Sequence, residues 1–284
     1  MDLGDADEDR SNVEDRRVIP PAAKAGAGVT VGVIVVVVLF TLFSKSDPSG
    51  IVKQATGTRT AQRGQPKLSG AARAAAEKKV EKVAVGSFND AQRVWTELLA
   101  QSPKKYRNAK LVLFWDQTQS ACGTAGAAVG PFYCSGDNKA YIDLGFYREL
   151  AQRYGAPGEF AQAYVIAHEI GHHVQNVLGT TLKVRNDGAR RPAMKNALSV
   201  KMELQADCYA GVWGYAAAKR GKINSTDIEK GLQAAAALGD DTLRRQAGKA
   251  IAPETFTHGA SADREKWFRR GLERGTLAAC DTFR

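Results

Sequence analysis

The chain has 284 residues, of which 44% are hydrophobic, 25% charged and 8% aromatic, ordinary values that exclude a collagen-like or wholly disordered protein. A mean hydropathy of −0.32 excludes a polytopic membrane protein. The net charge of +10 is unevenly spread: residues 1–24 hold four Lys/Arg and seven Asp/Glu, which leaves +13 on the remainder.

Residues 1–25 are acidic and polar and contain Pro20-Pro21, which reads as a disordered tail. The eighteen residues 26–43 carry no charge. As a helix they span about 27 Å, just enough for a hydrocarbon core of about 30 Å, so a single transmembrane anchor in the lipid bilayer is expected. Four Lys/Arg lie within twenty residues on either side of it, and charge bias therefore gives no orientation. All four cysteines follow the anchor, and their even number suits an oxidising compartment. Residues 1–25 are thus expected in the cytoplasm and residues 44–284 on the extracytoplasmic side.

Residues 44–86 are rich in Ser, Gly, Lys and Ala and read as a low-complexity tether, with one helix-compatible stretch at 71–83. The folded domain is expected over 87–284. Asn89 or Asp90 can cap a helix whose apolar positions Val94, Trp95, Leu98 and Leu99 recur at helical spacing. Residues 110–115 read as a buried strand, and 131–134 and 140–146 as two more, joined by a turn at 135–138. From Glu159 onwards the pattern is helical, with breaks at Gly179, at 188–192, at Gly221 and at Pro253. A few strands followed by several helices predict an α+β domain.

The chemistry concentrates at His168-Glu169-Ile170-Gly171-His172, an H-E-x-x-H sequence. Residues four apart share one helix face, so His168 and His172 can both present an imidazole to one ion, with Glu169 beside its open side. Residues 160–178 contain no proline, and Gly179 stands where a helix C-terminus belongs. A third histidine at metzincin spacing is absent, since Gln175 and Leu178 occupy those positions. Glu203, on a helix expected over 199–219, can instead complete a His₂Glu zinc site. Asp207, one turn later, can accept the outer N–H of a ligand histidine. The apolar company of Ala206, Cys208, Tyr209, Val212 and Trp213 makes unpaired carboxylates costly there. His173 points about 100° away from His172 and reads as a packing residue. His258 reads equally as a surface-loop histidine or as a donor to an oxyanion.

Together these stretches resemble the bacterial "putative neutral zinc metallopeptidase" family, the YpfJ-like proteins. The resemblance rests on residues 11–17 (SNVEDRR), on Cys122-Gly123 with 130–134 (GPFYC), and on 141–144 (YIDL). It continues through 160–169 and 171–175 (GHHVQ), 202–208 (MELQADC), 210–214 (AGVWG) and 256–259 (FTHG). It covers residues 11–17 and about 90–284; the tether departs from it. The resemblance implies a one-span membrane protein with a zincin-like peptidase domain, and it favours a functional His258.

The expected activity is hydrolysis of a peptide or protein substrate by a zinc-activated water, with one Zn²⁺ per chain held by His168, His172 and Glu203 and with Glu169 as general base. His258 is the candidate oxyanion donor. Zincin-like folds bind substrate along an edge strand, and 130–134 or 140–146 can supply it. Two alternatives compete. A non-catalytic zinc module at the membrane would not need Glu169. A basic binder of nucleic acid or cell-wall polymer accounts for the charge, but the scattered basic residues form no nucleic-acid motif, and no nucleic-acid partner is expected. Cys122 is expected to pair with Cys134, closing a glycine-rich loop. Cys208 is expected to pair with Cys280, pinning the C-terminal tail to the helix that bears Glu203.

Overall fold

Branched and aromatic side chains make residues 110–114 (KLVLF) a strand, β2 (Lys110–Phe114), and all but the first are buried. Both of its faces are covered. Leu111 and Leu113 join the main helical core, whereas Val112 and Phe114 join a smaller cluster on the other side, as strand alternation requires. The computed structural model describes Met1 and residues 9–17, 70–126 and 130–284. The expected anchor, residues 26–43, lies outside the described residues. No helix among the described residues is long and apolar enough to cross a membrane.

Four strands form one sheet in the order β1-β2-β6-β5. Here β1 is Val13–Asp15, β5 Phe132–Cys134 and β6 Lys139–Asp143. β1 runs parallel to β2 with Glu14 opposite Val112, and β2 runs parallel to β6 with Val112 opposite Tyr141. β5 returns antiparallel, Tyr133 opposite Ala140, through the expected turn, in which Asn138 adopts φ 58°. A separate hairpin of β3 (Gln117–Ser120) and β4 (Gly123–Gly126) covers the outer face. The Cys122–Cys134 disulfide ties this hairpin to β5, and the first part of the glycine-rich loop that it closes, Gly123–Gly126, is a strand.

The helices among the described residues are α1 (Gly70–Leu98), α2 (Phe146–Gln152), α3 (Glu159–Leu178), α4 (Thr180–Arg190), α5 (Lys195–Lys219), α6 (Ser225–Ala237), α7 (Asp240–Gln246) and α8 (Ser261–Arg274). α3 is buried on nearly every side and ends at Gly179 in a left-handed conformation, φ 85°, a geometry glycine adopts without steric cost. α5 crosses α3 at Gly171, where a Cβ would lie 2.8 Å from the Ala206 carbonyl oxygen. Only glycine permits that approach, and it occurs one residue before His172 and three after Glu203 in their chains. The Cys208–Cys280 disulfide joins α5 to the C-terminal segment, as expected. The expectation of a mixed domain of helices and a small sheet holds.

Three boundaries differ from the sequence reading. Residues 70–86, assigned to the tether, belong to α1, because their Ala, Lys and Glu are strong helix formers and continue without a proline into the apolar face, whose packing outweighs the cost of Gly86. Asn89 and Asp90 are therefore mid-helix positions, not caps. Asp90 accepts hydrogen bonds from Trp213 Nε1 at 2.8 Å and from Arg220 at 2.7 and 2.8 Å. Residues 13–15, assigned to a disordered tail, form β1. Their charges are paired, Glu14 2.7 Å from Lys139 and Asp15 2.5 Å from Arg17, which also lies 2.7 Å from Glu81, and this pairing offsets the solvation that favours disorder. The last predicted strand stops at Asp143 instead of residue 146. The Asp143 carboxylate accepts from the Gly145 N–H at 2.8 Å and turns the chain into α2, which takes up Phe146.

Candidate metal centre

His168 and His172 lie one turn apart on α3, and α5 brings Glu203 against both. His168 Nε2 is 3.2 Å from Glu203 Oε2, and His172 Nε2 is 3.5 Å from Glu203 Oε1. The three side chains offer donor atoms all within 4.8 Å of one another and can hold a metal ion.

The outward nitrogens explain why the inward ones are available. His168 Nδ1 is 2.8 Å from Asp207 Oδ1, and a carboxylate there fixes the N–H on Nδ1, so Nε2, which faces Glu203, is the nitrogen whose proton a metal ion would displace. Arg264, from α8, fixes Asp207 through Nε at 2.8 Å and Nη2 at 3.0 Å. Tyr164, one turn before His168, donates its hydroxyl to Asp207 at 2.5 Å. His172 Nδ1 is 2.9 Å from Gln175 Oε1. The Gln175 amide nitrogen donates to the Met202 carbonyl at 2.7 Å, so its oxygen faces the imidazole and accepts. Gln175 also reaches Gln205, which donates to the Cys280 carbonyl at 3.0 Å. Both imidazoles therefore aim Nε2 at one point beside Glu203, a donor set that fits zinc once their protons are displaced.

The electrostatics of the centre favour a cation. Burial opposes charging of His168, but the Asp207 and Glu203 carboxylates outweigh it and push the imidazole up to about 10. Burial pushes Glu203 upward, and His172 and His168 overcome this, holding it well below the usual carboxylate range. Glu169 behaves differently. Burial raises its carboxyl above the ordinary value, and the opposing pull of His168 and His172 does not cancel that rise.

The centre opens into a cleft of about 150 Å³, walled by Phe146, Tyr154, Val165 and Leu243 and bordered by Gly130, Pro131 and the β5 residues Phe132 and Tyr133. β5 is the sheet edge beside the site and β6 is interior, which decides between the two edge candidates. His258 lines the same cleft, and its loop is built around one carboxylate. Asp240 Oδ2 accepts the backbone N–H groups of Thr257 and His258 at 2.7 Å and of Gly259 at 3.1 Å. Its other oxygen lies 3.3 Å from His258 Nδ1. His173 stands apart from the donors, as expected. Burial holds it below its usual value. It bridges the Arg107 carbonyl, at 2.6 Å from Nε2, and the Tyr133 hydroxyl, at 2.8 Å from Nδ1, and so fastens α3 to β5.

Sequence reasoning missed Arg264, Tyr164, Gln175 and Asp240. Tyr164 and Gln175 carried a usable signal, since they precede His168 by four residues and follow His172 by three on the same helix. Arg264 and Asp240 carried none, because each sits among charged residues that read as a solvated surface.

The chain matches the family described as "Putative neutral zinc metallopeptidase" over residues 4–283. It is 46% identical over 190 residues to the "Uncharacterized protein YpfJ" of Escherichia coli (strain K12), an alignment that spans 66% of each chain. It is 41% identical over 210 residues to the "Uncharacterized protein Rv2575" of Mycobacterium tuberculosis (strain ATCC 25618 / H37Rv), covering 70% of this chain and 69% of that one. No solved structure matches. The chain belongs to the putative neutral zinc metallopeptidase family.

Proposed function

We propose that this family member is a zinc-dependent peptidase that hydrolyses peptide bonds, with His168, His172 and Glu203 as ligands of one Zn²⁺ and Glu169 as general base. The observation that carries the reading is the pairing of a three-donor group with a buried carboxylate on the same open cleft. A purely structural zinc site is closed by a fourth protein ligand, and among the described residues this group has three. A zinc ion held there supplies Lewis-acid polarisation of a carbonyl and lowers the pKa of water.

The protein's own groups do the rest. Glu169, raised in pKa by burial, takes a proton at its carboxylate and returns it to the leaving amine. His258, its Nδ1 engaged by Asp240, presents Nε2 to the oxyanion of the substrate. The backbone edge of β5 pairs with an extended peptide, and the apolar walls exclude water from the reacting bond. Asp207 and Gln175 hold the ligand imidazoles in the orientation that the site requires.

We place the protein at the membrane through residues 26–43, with the metal domain on the extracytoplasmic side. The apolar run supports the first point. The two disulfides support the second, since such bridges persist in oxidising compartments. The test is a comparison of protein N-termini in cells carrying the wild type or Glu169→Gln. Termini that vanish with the variant identify substrates, and identical sets of termini contradict the proposal.

A further inference from the structure

We propose that residues 9–17 and the metal-site domain lie on the same side of the membrane. This inference rests on the membrane reading of residues 26–43, and it changes the topology expected from the sequence.

β1 is part of the domain. Its backbone completes the β2 edge, where the Leu111 N–H donates to the Asn12 carbonyl and the Arg16 N–H to the Leu113 carbonyl, both at 2.8 Å. Its side chains are clasped on either flank. Glu14 is 2.7 Å from Lys139 of β6. Arg16 donates to the Thr118 hydroxyl at 3.1 Å and the Gln119 carbonyl at 2.8 Å. Arg10 and Arg17 both pair with Glu81 of α1. Removing the strand would strip the edge of a buried apolar β2, which proteins ordinarily keep covered, and would leave Glu81 without either arginine.

This docking conflicts with a single crossing. The described chain leaves at Arg17 and resumes at Gly70, and Arg17 holds Glu81, eleven residues into the helix that begins there. At about 1.5 Å per residue, departure and return lie within roughly 20 Å at one end of the domain. One crossing by residues 26–43 would put Arg17 and Gly70 on opposite faces of a core about 30 Å thick. Two crossings need a second apolar run. Residues 44–69 instead carry Lys45, Asp47, Lys53, Arg59, Arg63 and Lys67, charges that a bilayer interior rejects. The docked strand therefore puts residues 9–17 on the side of the membrane that holds the metal-site domain.

The test uses the full-length protein in its native membrane. Asp9→Cys and Lys249→Cys each add one thiol at an exposed position, among cysteines that are otherwise all bridged. Each variant is treated with a membrane-impermeant maleimide before and after permeabilisation. The inference expects the two positions to label alike, both in intact cells or both only after permeabilisation, with the protein in the membrane fraction. Labelling of one position in intact cells and of the other only after permeabilisation overturns it, as does recovery of the protein in the soluble fraction. An epitope tag ahead of Asp9, read by protease protection beside Lys249, gives the same comparison if an added thiol exchanges with the native bridges. None of these outcomes depends on hydrolysis, so they separate topology from the peptidase reading.

Discussion

Asp207 Oδ1 lies 2.8 Å from His168 Nδ1, and this one contact sets which nitrogen of the imidazole faces the metal donors. Asp207 is fully buried and is itself held by Arg264 and Tyr164. Burial and charge work against each other there. Desolvation pushes Asp207 upward, and the Arg264 guanidinium overcomes it and keeps the carboxyl below its ordinary value. His168 thus rests on a buried ion pair, and the contacts span α3, α5 and α8.

Asp207→Ala should weaken zinc binding by about 10–100-fold, the usual cost of losing the partner of a ligand imidazole. Arg264→Met should cost about 3–5 kcal/mol of stability, because it leaves a buried carboxylate without its countercharge. Chelator competition measures the first effect and urea unfolding the second. Wild-type zinc affinity in Asp207→Ala would show that His168 is oriented by something else.

The two disulfides should separate stability from metal binding. Cys208 and Cys280 are 72 residues apart, and in the chain-entropy model their bridge contributes about 4 kcal/mol. Its loss also loosens the Cys280 carbonyl that Gln205 holds beside Gln175 and His172. Cys208→Ser with Cys280→Ser should therefore lower both the urea midpoint and zinc affinity. Cys122→Ser with Cys134→Ser removes a bridge of separation 12, worth about 3 kcal/mol in the same model, and should lower the midpoint alone.

Acid should destabilise the fold in part through Asp90. Burial raises its carboxyl, but hydrogen bonds from Arg220 and Trp213 outweigh that and hold it below the ordinary carboxylate range. A depressed folded pKa means stability that is fully present above the unfolded value, near 4, and lost as pH falls through the folded one. Asp90→Asn should be less stable than the wild type at neutral pH and should lose less on acidification below about pH 4. Equal pH slopes for the two proteins would contradict the assignment.

If His258 donates to the oxyanion, His258→Ala should lower kcat by roughly 10²–10³-fold while changing KM little. Asp240→Asn should reduce kcat less, since it disturbs the orientation of the imidazole and leaves the ring in place. Steady-state kinetics on a cleaved peptide decide this. A change confined to KM would make His258 a binding residue only.

What the sequence revealed follows from spacing. His168, Glu169, His172, Glu203 and Asp207 lie on two helices whose 3.6-residue period alone brings them to shared faces. The strands at 110–114 and 132–134 were legible because their apolar runs are short and end at turns. β1 was not, since Glu14, Asp15, Arg16 and Arg17 look like solvated tail residues until Lys139 and Glu81, far away in the chain, are seen beside them. Arg264 was hidden for the same reason: its partner lies 57 residues earlier, and no local pattern encodes a pair between remote helices. The start of α1 was legible only as helix propensity, which does not tell a tether from a docked helix.

In the proposed peptidase, one zinc and one carboxylate, Glu169, divide the chemistry between them. Zinc content and peptide hydrolysis, measured side by side on the wild type and Glu169→Gln, test it most directly. Both proteins should carry close to one zinc per chain, the wild type should hydrolyse peptide, and Glu169→Gln should hydrolyse almost none. A Glu169→Gln protein that hydrolyses peptide at the wild-type rate, or a wild type that binds no zinc, would contradict it.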